Sequence, residues 1–241
     1  MRILAIETAC VACSVAAWDG SAPRPLRARR WRLLGQGHAA ALLPMVAAVM
    51  TDAGWDYGQL DRIAVTVGPG GFTGVRIGLA AARGIGLAAG KPVAGVSTLA
   101  ALAAGIPTPQ GSAILVAIDS KRGDVYAQAF ASAGDGVEPC AAPMAAPWVA
   151  AASDVWTALP DGRRPWVVVG DASEAVAAAL QRRGILAEAS APEQPDAAVV
   201  ASLAARMTLQ LGAPPPRPIY LRPPDVSAPA ADGSAALLGS R

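Results

Sequence analysis

The chain opens on a strand-like apolar run over residues 3–7, and a second over 11–18 ends in the turn pair Asp19-Gly20. Residues 27–34 predict a third, more basic strand at an exposed position. The Ala/Leu/Met-rich stretch His38–Ala53 predicts a helix stopped at Gly54. Pro44 is expected to kink it or begin a second segment, because proline lacks the amide proton a helix needs. A strand over 62–67, a helix over 73–89 closed by Gly90 and Pro92, a strand over 92–96 and a helix over 97–104 follow. Ser97 or Thr98 can cap the last of these.

A second series repeats the order. Ala113–Asp119 and residues 125–130 predict a hairpin around Ser120-Lys121-Arg122-Gly123. Residues 148–159 read as helix, 166–170 as strand, and 173–183 and 196–211 as helices. After Pro223 the chain is rich in Pro, Ala, Gly and Ser and reads as a flexible tail. Hairpin strands followed by alternating helix and strand, seen twice, predict a mixed α/β fold of two related lobes. The expected units are residues 1–105, 106–222 and the tail 223–241.

Composition narrows the function. In 241 residues, 53% are hydrophobic and 16% charged, enough apolar content for a substantial core and too much for a disordered chain. The formal charge of +2 supplies no broad basic surface, and 5% aromatics supply no extended base-stacking platform. Any RNA contact is therefore expected to be local or borrowed from a partner. The charge-free stretches 33–51 and 92–118 are interrupted by polar residues, Pro or Gly, so neither reads as a membrane span. The N-terminus lacks the design of a cleaved leader, and a cytoplasmic protein is expected. Cys10 and Cys13 form a C-x-x-C with no second pair; only Cys140 and the sole histidine, His38, could complete a metal set. Inert apolar cysteines are the expectation.

Gly68-Pro69-Gly70-Gly71-Phe72-Thr73-Gly74-Val75-Arg76-Ile77-Gly78 joins an apolar strand to a helix. Free amides at such a junction can hold a phosphate. Yet Val75-Arg76 stands where a Walker loop needs Lys-Ser/Thr, and Thr73 where a dinucleotide loop needs its third Gly. A structural loop and an anion site both remain open. Along the helix, Gly74, Gly78, Ala82, Gly86 and Gly90 recur every four residues. An interior Gly costs ~1 kcal/mol relative to Ala, so such a ridge implies close approach of something. That something is either the protein's own sheet or a second subunit.

The segments MRILAIETACVACSVAAWDG, Gly37-His38, Leu42-Leu43-Pro44-Met45, GPGGFTGVRIGLAAARG, AIDSKRGDVYAQAF and Ile219-Tyr220-Leu221-Arg222 occur in this order. Together, over about residues 1–222, they resemble the TsaB (YeaZ) family of bacterial tRNA threonylcarbamoyladenosine biosynthesis proteins. The resemblance implies the two-lobed actin/Hsp70-like (ASKHA) fold, each lobe a mixed sheet with flanking helices. It implies a non-catalytic subunit that binds and activates TsaD, which transfers threonylcarbamoyl to adenosine 37 of tRNAs reading ANN codons, and that helps recruit the ATPase TsaE. Homodimers are implied in isolation, with tRNA touched indirectly or weakly. No cofactor is expected of this chain, while ATP or ADP with magnesium can sit at its interface with TsaD or TsaE.

The catalytic relative carries a His-x-x-x-His metal pair; here His38 is followed at i+4 by Leu42. Fold relatives position Mg²⁺ with acids in two hairpins, and Glu7-Thr8 and Asp171 stand at about those places, with Gly70 and Gly71 as further phosphate candidates. An independent nucleotide hydrolase is the alternative this leaves. A Ser or Cys nucleophile (Ser14, Ser97, Ser120) would have to reach His38 through the fold. Lys121 and Arg122, and Arg29, Arg30 and Arg32, could meet tRNA phosphate or a partner's carboxylates. The partner face is expected on Leu42, Met45, Val46 and Val49 of the first helix and Gly74, Val75, Gly78, Leu79, Ala82 and Gly86 of the second. Crowding it by Gly78→Leu or Ala82→Leu is then expected to weaken pairing and leave the lobe folded.

Overall fold

Two five-stranded sheets of matching topology carry the chain in a computed structural model that describes residues 1–107, 109, 111–131, 142–160, 164–190, 194–209 and 214–222. The expected tail, Cys140 and residues 210–211 lie outside the described residues, and the helix expected to reach 211 ends at Arg206, with 207–209 not helical. The first sheet holds β1 (Arg2–Glu7), β2 (Ala12–Asp19), β3 (Leu26–Leu33), β4 (Arg62–Thr66) and β5 (Val93–Val96), in the order β3-β2-β1-β4-β5. The second holds β6 (Ala113–Asp119), β7 (Val125–Ala131), β8 (Trp148–Ala150), β9 (Trp166–Val169) and β10 (Ala187–Ala189), in the order β10-β9-β6-β7-β8. In each, three antiparallel strands continue into two parallel ones, so the second sheet repeats the first. This is the two-lobed actin-like fold.

Helices α1 (His38–Ala53) and α2 (Phe72–Ala89) cover one face of the first sheet. Gly54 and Gly90 adopt left-handed φ of 67° and 65° and return their amides to the last turns, which is why both helices stop where they do. α1 runs unbroken through Pro44, which is exposed, so the carbonyl it leaves unbonded faces water rather than the core. α4 (Ser173–Gln181) covers the corresponding face of the second sheet. Residues 148–159 are not a helix: they form β8 and a 3-10 segment, Ala152–Ala158, because the Trp-Val-Ala run pairs with the edge of β7.

The remaining two helices cross over. α3 (Thr98–Ala104), from the first half of the chain, packs on β6 and β7, whereas α5 (Ala197–Arg206), from the second half, packs on β1, β2 and β4. They touch each other between the sheets. α5 is seated at both ends. The Asp196 carboxylate and the Ser14 hydroxyl accept amides of its first turn, while Arg62 donates to the Ala204 and Met207 carbonyls at its last.

A strap over residues 214–222 then returns across the first lobe. Pro216 lies over Gly95, its carbonyl accepts from Arg83, and the Ile219 amide donates to the Val67 carbonyl at 2.8 Å. Arg222 pairs with Asp124 in the β6–β7 turn, so one segment touches both lobes.

The glycine ridge meets its own protomer. A methyl group at Gly74 would overlap the Thr8 carbonyl oxygen, and one at Gly78 the Thr8 hydroxyl; at Gly86 it would stand 2.7 Å from Val93 and 2.9 Å from the Lys91 carbonyl. The expected partner face is corrected accordingly. Leu42, Met45, Val46, Val49, Val75, Gly78, Leu79, Ala82 and Gly86 are buried, and Gly74 is half-buried against the first hairpin. A β1-β4-β5 centre made of apolar side chains needs this stripe as its cover, and so the stripe is not available to a partner.

Gly74→Ala is therefore expected to lower stability by about 1–3 kcal/mol through overpacking. Gly84→Ala, exposed on the same helix with nothing within 4 Å of the added methyl, is expected to raise it by roughly 0.5–1 kcal/mol. Urea unfolding of the two variants checks both signs.

Candidate functional site

The turn after β1 lies at the junction of the lobes. Glu7 is fully buried there, and its Oε1 accepts from the Ala9 amide at 2.6 Å and the Thr66 hydroxyl at 3.3 Å. Its Oε2 has no hydrogen-bond partner among the described residues. Burial pushes the carboxyl up to about 8 from an ordinary 4.5, only partly offset by the Ala9, Thr66 and Cys10 donors. At neutral pH, Glu7 is a neutral acid. Thr8 Oγ1 donates to the Gly74 carbonyl at 2.8 Å, and the Gly71 amide donates to the Ala9 carbonyl at 2.7 Å. Gly70 backs onto the same Ala9, leaving no room for a side chain.

Across the junction, Asp171 holds the β6–β7 turn. One of its oxygens accepts from the Asp119 amide at 2.8 Å and the other from Lys121 Nζ at 3.2 Å. Lys121, at φ 62°, also pairs with Asp119 at 2.9 Å, and this pairing raises its own pKa and lowers that of Asp119. Cys10, in the turn after Glu7, packs against the apolar cluster that holds Ile118 and Val169 of the second sheet. Burial first, then Glu7 and Asp171, pushes its thiol well up, and burial pushes Cys13 up to about 11. Both cysteines are free.

The arrangement does not fit a nucleotide with magnesium. The donors a phosphate would need, on Thr8 and Gly71, hold the glycine loop against the hairpin; Asp171 is neutralised by Lys121; and Glu7 keeps its proton. Among the described residues, no group of three His, Cys, Asp or Glu could hold a metal ion. A hydrolase arrangement fares no better. His38 Nε2 donates to the Ala12 carbonyl at 3.0 Å, Ser14 accepts from Ala197 and Ser120 donates to Asp124. Ser97 is the N-cap position of α3, though its side chain makes no capping bond.

What the structure leaves available is the outer side of the α1–α2 layer. Leu43 and Leu87 are 57% and 87% exposed, and Phe72 is 62% exposed. Pro44 and Ala47 on α1 and Ala80 and Ala88 on α2 are exposed as well. Sequence reasoning chose the regular i, i+3, i+4, i+7 stripe, and that regularity marks the core-facing side. The apolar residues left off the stripe were the signal for a second contact surface. At the α2 end, the Arg76 guanidinium lies 3.2 Å over the Phe72 ring, and Tyr220 of the strap stands 6.3 Å from that ring.

Comparison with known proteins follows the same lines. The family model described as "TsaD: tRNA N6-adenosine threonylcarbamoyltransferase" matches residues 32–207. The solved structure named YeaZ from Pseudomonas aeruginosa is 30% identical, with a TM-score of 0.71, over 85% of this chain and 92% of that one. The chain belongs to the TsaB (YeaZ) family. A second structure, titled an uncharacterized protein with similarity to peptidase YEAZ from Pseudomonas aeruginosa, is 28% identical with a TM-score of 0.72, over 92% of this chain and 99% of that one. The tRNA threonylcarbamoyladenosine biosynthesis protein TsaB of Escherichia coli (strain K12) is 42% identical over 127 residues, 52% of this chain and 53% of that protein. The chain spans about half the length of the curated TsaB relatives it matches. No helix among the described residues is long and apolar enough to cross a membrane.

The buried acid gives this TsaB-family chain a pH signature. Below about pH 4.5 the carboxyl is protonated in both folded and unfolded chains; between there and about 8 the folded chain holds the extra proton. Glu7 is thus expected to make stability fall as pH rises through that window and level off above it. Glu7→Gln, which keeps an acceptor for Ala9, is expected to remove that fall. Urea unfolding of both proteins from pH 5 to pH 9 measures the difference.

Proposed function

We propose that the chain is a non-catalytic subunit of the machinery that makes N6-threonylcarbamoyladenosine at tRNA position 37. In this role it binds and activates TsaD, helps recruit TsaE, and pairs with itself when alone. The reading is carried by the apolar outer side of α1 and α2 in a chain of the TsaB family. Leucine side chains exposed to that degree cost free energy in water, and covering them with another helix pair recovers it. A specific pairing should bury at least ~1,000 Å² in total. The engagement of His38, Ser14 and Ser120 in backbone and turn contacts supports an accessory role. On this reading the chain itself requires no cofactor, and any ATP or ADP with magnesium belongs to its interface with TsaD or TsaE rather than to the junction of its own lobes. An independent nucleotide hydrolase has less to support it, because the groups it would use are spent on holding the hairpins.

Leu43→Glu and Leu87→Glu change exposed residues, so each is expected to leave thermal unfolding within about 0.5 kcal/mol of the parent. Both are expected to reduce homodimer and TsaD complex at least tenfold, read by sedimentation, and to abolish stimulation of tRNA modification on co-expression with TsaD. Undiminished complexes from both variants would sink the assignment of this surface.

A further inference from the structure

The basic strand takes no part in the site above. Residues 24–32 hold five arginines and no acid; the chain's other fifteen Lys and Arg face 18 Asp and Glu. The modest overall charge thus hides a concentrated cationic segment on an otherwise slightly acidic molecule. Most of that segment is β3, an edge strand that among the described residues pairs only with β2 and is exposed over most of its length. Two of its arginines are tied to the body of the lobe: Arg29 pairs with Asp196 at the start of α5, and Arg30 with Asp52 near the end of α1. These ties hold the strand from both faces.

Arg24, Arg27 and Arg32 are exposed and have no ion pair among the described residues. The register shifts at Ala17/Trp18, which makes Arg27 the extra residue of a bulge. A bulge re-aims its side chain and bends the edge. Arg27 and Arg32 lie about 16 Å apart along an extended strand at ~3.3 Å per residue. Trp31, 40% exposed, shares the face of Arg29, whereas Arg32 shares the opposite face with Arg30.

Blocking sheet-to-sheet pairing takes only a charge or two on an edge. It does not call for five arginines, two of them tied to the lobe and three left exposed. Guanidinium forks match phosphate oxygens, and an indole face accepts an unstacked base. We infer that β3 and the turn before it, through Arg24, Arg27 and Arg32 along an edge exposed on both faces, form a contact surface for the phosphate backbone of RNA, with Trp31 able to meet a base on one of those faces. The choice of tRNA as that RNA rests on the function proposed above.

The test uses the full chain and a labelled transcript of a tRNA reading an ANN codon, with anisotropy titrations from 50 to 300 mM salt. Arg27→Ala with Arg32→Ala is expected to weaken binding about tenfold at low salt. It should also flatten the slope of log K against log salt by roughly 1.5, two phosphate contacts at about 0.7–0.9 each. Arg182→Ala with Arg217→Ala removes the same charge from other exposed positions and should change little. Equal losses from the two pairs overturn the inference, as does an absence of RNA binding by the parent. So does a β3 pair that loses binding to poly-glutamate while keeping its RNA affinity, the mark of an acidic protein partner. RNA binding that depends on β3 without stimulation of TsaD refutes the proposed function alone. Stimulation with RNA binding indifferent to β3 refutes this inference alone.

Discussion

The contact on which the first lobe depends is one between backbones. The turn after β1 and the start of α2 approach so closely that no Cβ fits at Gly70, Gly74 or Gly78, and the Thr8 hydroxyl and Ala9 carbonyl close the gap by hydrogen bonds to the glycine segment. This contact seats α2 on β1 and β4, and α1 packs beside it over the same core. It also consumes the amide and hydroxyl that would otherwise face a ligand. A segment that looks like a phosphate loop is here a structural clasp.

The clasp belongs to a wider engagement of the groups between the lobes. The polar groups at the junction of the lobes are engaged with one another. Cys10 packs among Leu99, Ile118 and Val169, a neutral Glu7 lies below, and Asp171 is spent on the opposite turn. The exchange of α3 and α5 between lobes and the strap ending at Arg222 tie the halves together further. Among the described residues, the outer helical layer and the basic edge are the surfaces on which the proposed contacts rest. The two surfaces differ in physics. The first works by burial of apolar area and the second by charge, so salt should weaken one and spare the other.

Much of the element order was legible because local signals agree with the fold. Helix α1 has the bounds that its composition and Gly54 predict, and the strand–helix steps through residue 104 fall within a residue or two. Prediction failed where the reason was not local. Residues 148–150 become a strand because β7 offers an edge, and Ala187–Ala189 is a strand only because β9 lies beside it. The candidate contact surface was missed for a similar reason: the periodic stripe on α1 and the ridge on α2 looked purposeful and are, but the purpose is the protomer's own core.

What the sequence alone determined is the repeated hairpin-then-helix order, the family motifs, and the impossibility of a two-histidine site in a chain with one histidine. Each follows from residue identity or short-range spacing. Tertiary structure alone decided which side of each helix faces in, which acids are charged, and which arginines are free. A helix's own period defines a face but not its neighbour, and burial and ion pairing depend on groups distant in the chain, as Glu7 with Thr66, Arg29 with Asp196 and Arg222 with Asp124 show.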